Sequence, residues 1–179
     1  MATRFTSVRK SVLTAVFIAM CVVLPMAFHS VGLGSTFAPM HIPVLMCGLV
    51  CGGGYGLLCG LAGPLLSSVL TGMPGAAMLP SMVPELMTYG LVTGLLMRHV
   101  RTGKLYADLY ISLVAAMLVG RVVAGVAKML LFMGGEGYTL GLWISAHFVT
   151  AAPGILCHLL VIPILVSTLM RAKLLPKRY

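Results

Sequence analysis

Charge is scarce in this sequence. Of 179 residues, 8% are Asp, Glu, Lys or Arg, and only three of these are acids. A soluble domain carries about 25% charged residues and clothes its surface with them. Twelve cations and three acids cannot wet a globule of this size, so a soluble enzyme, a disordered chain and a coiled coil are excluded. Aromatic residues are also few, at 7%, with a single Trp. There is no G-x-x-x-x-G-K-[ST] nucleotide loop, no H-E-x-x-H and no C-x-x-C. The signatures of ATP hydrolysis, of a zinc protease and of a thiol metal site are therefore missing. Three acids spread as Glu85, Asp108 and Glu136 do not make a Mg²⁺-nucleotide site, and Ser67, Ser68 and Ser81 have no His/Asp pair at catalytic spacing.

What is abundant is apolar: 60% of residues are hydrophobic and the mean hydropathy is +1.08. The class left is an all-α membrane protein crossing the bilayer several times. At ~20 residues per crossing the length allows at most about six to eight short spans. Apolar runs occur at about 11–29, 42–52, 55–72, 78–97, 108–131 and 147–170, and glycine-rich turns separate them. They form one integral membrane domain over residues 1–179. The first run follows basic residues as a signal peptide does, but no small-residue cleavage site ends it, so it reads as a retained helix.

The net charge of +9 does not point to nucleic acid, because the cations sit at the ends of apolar runs and not in a stripe interleaved with aromatics. Ten of the twelve fall in three places: Arg4, Arg9 and Lys10; Arg98, Arg101 and Lys104; and Arg171, Lys173, Lys177 and Arg178. The loops 30–41, 73–77 and 133–146 carry none. The positive-inside rule then puts both termini and the 98–107 loop in the cytoplasm, and six crossings satisfy this. The tight place is 42–72, where two full spans want ~40 residues and fewer are present. The expectation is two short crossings broken at Gly52-Gly53-Gly54; a re-entrant hairpin has the same parity.

Two cations remain, Arg121 and Lys128, both within the fifth span. Arg121 lies ~20 Å along it from Asp108, and Lys128 two turns further on the same face. Glu85 enters the fourth span from the opposite direction and reaches a depth similar to Arg121. An ionisable residue inside a span normally faces a partner or a wet cavity. Glu85 with Arg121 therefore reads either as a packing ion pair or as the lining of a ligand site. Lys128 either belongs to that site or snorkels to the interface. His29, His41 and His147 fall at outer helix ends, where they are solvated or, for His41, bond backbone or ligand. The histidine spacing predicts no metal. The five cysteines read as small packing residues, and Ala15 and Ala19, four apart, allow close helix approach unless their spacing is chance.

Several segments resemble the substrate-binding S components of energy-coupling factor (ECF) vitamin transporters. These are Thr14-Ala15-Val16-Phe17-Ile18-Ala19, Ala38-Pro39-Met40-His41-Ile42-Pro43-Val44-Leu45-Met46-Cys47-Gly48, Tyr55-Gly56-Leu57, Gly120-Arg121 and Pro153-Gly154-Ile155. The resemblance covers essentially the whole chain. It implies six helices in a bacterial cell membrane and a vitamin pocket open to the outside. It also implies docking, through Ala15 and Ala19, to a transmembrane coupling protein that carries two cytoplasmic ATPases. It implies neither catalysis nor a cofactor. The candidate ligand contacts are Glu85, Arg121, Lys128, His41 and His147. If Glu85 neutralises Arg121, Lys128 is left to attract an anion. Few aromatics near the pocket disfavour a large flat ring. Pantothenate is therefore the first expectation, ahead of pyridoxine or another small vitamin. The reading from another class is a self-contained proton-coupled carrier working through Glu85, which the lack of an internal repeat and of a second buried acid opposes.

Overall fold

The computed structural model describes residues 6–30, 32, 38–131, 140–145 and 149–175. Every regular element among them is helical. In chain order these are α1 (Ser7–Ser30), α2 (His41–Cys51), α3 (Gly53–Thr71), α4 (Leu79–His99), α5 (Leu105–Leu131), the short α6 (Leu140–Ile144) and α7 (Ala152–Arg171). Four segments are long and apolar enough to cross a membrane: Ser7–His29, Gly53–Thr71, Leu105–Leu131 and Ala152–Arg171. The protein is thus a multi-pass helical membrane protein. The fourth expected span, α4, is 21 residues long, but Ser81, Glu85, Thr88, Tyr89, Thr93 and Arg98 dilute its apolar character and it is not among the four. The second, α2, has 11 residues, about 16 Å at 1.5 Å per residue, or half a hydrocarbon core.

The two arms of 42–72 form a hairpin of unequal legs. Gly52 makes the turn with φ 104°, a backbone region open to glycine, while its N–H still donates to the Gly48 carbonyl. Gly48 and Gly56 then face each other across the hairpin, and both lie on the backbone of α4 at Gly90. A Cβ at Gly56 or Gly90 would strike the other residue's backbone. Gly56 and Gly60 on α3, with Gly90 and Gly94 on α4, are two G-x-x-x-G pairs. Such pairs bring helices together in lipid, where packing, not water, drives association.

Around this contact the chain builds its core. Helix α4 packs on α2, α3 and α5; α1 lies along α2 and α3; α7 rests on α5 and α2. The core takes Val44, Leu45 and Cys47 from α2, Leu86 and Tyr89 from α4, Leu109 and Leu113 from α5 and Ile162 from α7. Cys21, Cys47, Cys51 and Cys59 are all free and buried. Ser67 and Ser68 fasten the loop after α3, donating to the Met73 and Pro74 carbonyls at 2.6 and 2.9 Å. Helix α7 begins at Ala152, five residues later than the expected 147, because Pro153 occupies its first turn.

The basic clusters gather at one end. Lys10, Arg98 and Arg101 border one cavity, and the Arg9 guanidinium donates to the Leu174 carbonyl at 3.2 Å. Asp108 is buried there and accepts from the backbone N–H and the hydroxyl of Thr102 at 2.9 and 2.8 Å. It closes the α4–α5 loop onto the first turn of α5.

Candidate functional site

At the opposite half of the bundle, polar groups from four helices meet inside the apolar core. Helix α4 contributes Glu85 and Tyr89, one turn apart and so on one face. The Tyr89 hydroxyl donates to Glu85 Oε1 at 2.7 Å. Gly120 lets α5 approach: the Tyr89 ring fills the space where a side chain on Gly120 would stand. The next residue, Arg121, is only 6% exposed and lies close enough to act electrostatically on both Tyr89 and His41. Tyr89 therefore joins the acid of α4 to the cation of α5.

His41 enters from α2. Its Nδ1 is 3.1 Å from the Ala38 carbonyl, which fixes the ring at the start of the helix. It is buried, and its ring sits 5.4 Å from Tyr89 and is stacked at 5.6 Å on His158 of α7. Of the two readings of His41, a solvated helix end or a bond to backbone or ligand, the structure shows the ring buried and bonded to backbone. Because α2 has only 11 residues, its first residue lies about 15 Å from its far end, well inside the bundle. His29, by contrast, is exposed.

The tryptophan also reaches this cluster. Trp143 of α6 donates from Nε1 to the Arg121 carbonyl at 3.2 Å, and its indole covers Gly125. Two aromatic side chains, Tyr89 and Trp143, thus lie at the cluster. Gly120 and Gly125 leave room on α5 for two rings, Tyr89 and Trp143, on either side of Arg121 in sequence. Lys128 is half-buried two turns beyond Arg121. His147 lies outside the described residues. Among the described residues, no group of three or more His, Cys, Asp or Glu side chains is placed to hold a metal ion.

Sequence reasoning brought Glu85, Arg121 and His41 forward and passed over Tyr89 and His158. The signals for both were present. Tyr89 stands four residues from the one acid of its helix, and His158 is an ionisable residue in the middle of an apolar run.

A buried guanidinium beside a carboxylate, a phenol and stacked imidazoles is suited to hold a small polar molecule. The cation and the phenol bind acidic or carbonyl oxygens, the carboxylate takes hydroxyl or amide hydrogens, and the rings present flat apolar faces.

Helix α1 differs in character. Thr14 and Cys21 are buried, whereas Ala15, Val16, Ala19 and Val23 look outward. Ala15 and Ala19 thus form a flat strip on an apolar surface.

A family model described as "ECF transporter, substrate-specific component" matches residues 9–166. Among curated proteins, and among solved structures, nothing matches this chain.

Proposed function

Because the chain belongs to the substrate-specific components of ECF transporters, we propose that it is the high-affinity vitamin-binding subunit of an ATP-driven importer and that its ligand is pantothenate. Components of this family are transporter subunits, not enzymes, and work with a transmembrane coupling protein and ATPases. The observation that carries the site is Arg121, buried in the bundle and joined to Glu85 through Tyr89. In this reading Arg121 and Lys128 attract the carboxylate, Glu85 and His41 bond the hydroxyl and amide groups, and His147 is a further candidate contact. One specific observation favours a second ligand: the clustered rings of His41, His158 and Tyr89 provide aromatic stacking partners, which suits pyridoxine.

The protein carries its own probe, since Trp143 is the one tryptophan and is bonded to Arg121. Titration of the isolated protein with pantothenate is expected to change Trp143 emission saturably. A response to pyridoxine alone would move the assignment to the ring ligand. Silence to both, with a third vitamin found by mass spectrometry of the purified protein, would remove both.

The gathering of Lys10, Arg98, Arg101 and Arg9 at one end supports six crossings with both termini cytoplasmic, in a bacterial cell membrane. Helices α2 and α3 then form the second and third legs, of which only α2 is short. A Gly75→Cys variant, where a side chain meets open space, should react with an impermeant thiol reagent from outside. Reaction only in inverted vesicles would reverse the orientation. The outward strip of Ala15 and Ala19 is the docking face for the coupling protein. A self-contained carrier would instead move substrate without ATPases, and uptake into vesicles holding this protein alone with an ion gradient would establish it.

A further inference from the structure

A cavity of about 920 Å³ lies at the end opposite the polar cluster. Its walls come from three separate parts of the chain: Lys10 of α1, the α2–α3 turn at Gly52, Gly53 and Gly54, and the end of α4 with Arg98 and Arg101. The space exists because the turn has no side chains. A Cβ at Gly52 or Gly54 would meet nothing within 4 Å. Lys10 is half-buried, its ammonium 5.8 Å from the centre of the Tyr55 ring, so the cation is held at the wall. Arg98 and Arg101 are exposed on the other side. None of the described lining residues is an acid. The acid nearest to Arg101 in sequence, Asp108, is buried and occupied with Thr102.

Inside-positive topology alone asks only for cations at this end and does not require them to converge. Three that border one glycine-floored hollow, with no acid in its wall, make a concave positive site at the membrane surface. Basic pockets between membrane helices on this side take lipid headgroups. The geometry points to a binding site for a phosphate group at the α1/α2–α3/α4 junction, filled by the headgroup of an anionic phospholipid. This inference is independent of which vitamin the other half binds.

The test is native mass spectrometry of the full chain in detergent, offered phosphatidylglycerol and phosphatidylcholine of the same acyl length. The parent is expected to retain phosphatidylglycerol preferentially. A juxtamembrane cation near an anionic surface is worth about a factor of five in binding, so Lys10→Gln, Arg98→Gln and Arg101→Gln together should cut the preference roughly a hundredfold. Gly54→Glu, which puts an acid into the hollow, should abolish it too. Lys104→Gln with Lys173→Gln, exposed cations that do not line the cavity, should leave it unchanged. Unaltered Trp143 emission and monodisperse elution would show that each variant is folded. If both cavity variants keep the parent's preference, or the control pair loses as much as the triple variant, the site is refuted. A parallel arm measures binding of labelled inorganic phosphate. Phosphate held by the parent and lost in the cavity variants, without any lipid preference, would keep the site and make its source soluble. Neither lipid preference nor phosphate binding in the parent would overturn the proposal.

Discussion

Helices α1 and α2 are both apolar, yet the bundle treats them in opposite ways. Helix α1 runs 24 residues and turns most of its side chains outward. Helix α2 runs 11 residues and buries eight of them, including His41, between α1, α3, α4 and α7. The difference lies in length and punctuation rather than in hydrophobicity. A long helix with small residues at Ala15 and Ala19 can stand at the periphery and offer a flat face to lipid or to another protein. A half-length helix ending at Gly52 covers only about half of a hydrocarbon core, so its polar start is carried into the interior, where other helices must satisfy it. That is how an imidazole comes to lie beside Arg121 and Tyr89.

The largest expected effect tests whether the outward face of α1 is a docking face. Ala15→Leu with Ala19→Leu should reduce uptake by the assembled transporter to background, because added bulk prevents close helix approach. Vitamin binding by the isolated protein should be unchanged, since neither residue is near the polar cluster. Uptake at the parent's rate would leave α1 as a lipid-facing helix only.

The next breaks the inner side of the comparison. Gly90→Val places a side chain against the backbone of Gly56. Overpacking costs about 1–3 kcal/mol and more when backbone must move, so the melting temperature in detergent should fall clearly. Gly54→Ala, at a position with open space, is the matched control and should not lower it. Equal stability of the two would show that the hairpin and α4 are not held by close backbone contact.

The third concerns what the buried helices enclose. Removing Arg121 or Glu85 alone strands a charge and costs about 3–5 kcal/mol whatever its role. The double change Arg121→Met with Glu85→Leu avoids that, because apolar replacement of a buried pair is often neutral for stability. If the pair contacts ligand, the folded double variant should lose one or more charge-assisted hydrogen bonds of about 1.5–3 kcal/mol, a roughly 10- to 150-fold loss of affinity. Parental affinity would reduce the pair to packing.

How far these regions were readable depended on which physical signal each one sends. Charge at helix ends and apolar runs between glycine clusters located every long helix to within a few residues. Glu85 and Arg121 stood out because ionisable residues are rare inside spans. The unequal hairpin was visible as a shortage of residues in 42–72, but its consequence was not. That α2 sinks His41 into the core depends on Gly48, Gly56 and Gly90 meeting in space, and the G-x-x-x-G spacings of Gly56/Gly60 and Gly90/Gly94 were the unused clue. Trp143 was legible as a residue but not as a neighbour of Arg121, because nothing in the spacing of 121 and 143 tells how the chain returns between them. Tyr89 and His158 were missed because their value is collective: each is unremarkable until the other helices bring Arg121 and His41 to it.

The smallest expected effect isolates the comparison itself, since it makes one chemical change in both helices. Val44 of α2 is 0% exposed and Val23 of α1 is 61% exposed. Val44→Ala removes two methyl groups from a packed interior, and at about 0.8 kcal/mol per buried carbon plus a cavity contribution it should cost about 1–3 kcal/mol. Val23→Ala removes the same atoms from a surface that meets lipid. Lipid refills the space, so the change should stay within about 0.5 kcal/mol, as at other surface positions. The readout is the difference in unfolding free energy, or in melting temperature, between the two single variants in the same detergent. If Val23→Ala costs as much as Val44→Ala, the outward face of α1 is already packed in the isolated protein, by a second copy or by a segment of this chain. The strip of Ala15 and Ala19 would then not be open to a coupling partner. If instead Val44→Ala costs as little as Val23→Ala, α2 is loosely held, and a mobile α2 could not keep His41 stacked beside Tyr89 to form a binding site. Only a clear gap between the two fits a bundle with a fixed inner helix and an open outer one.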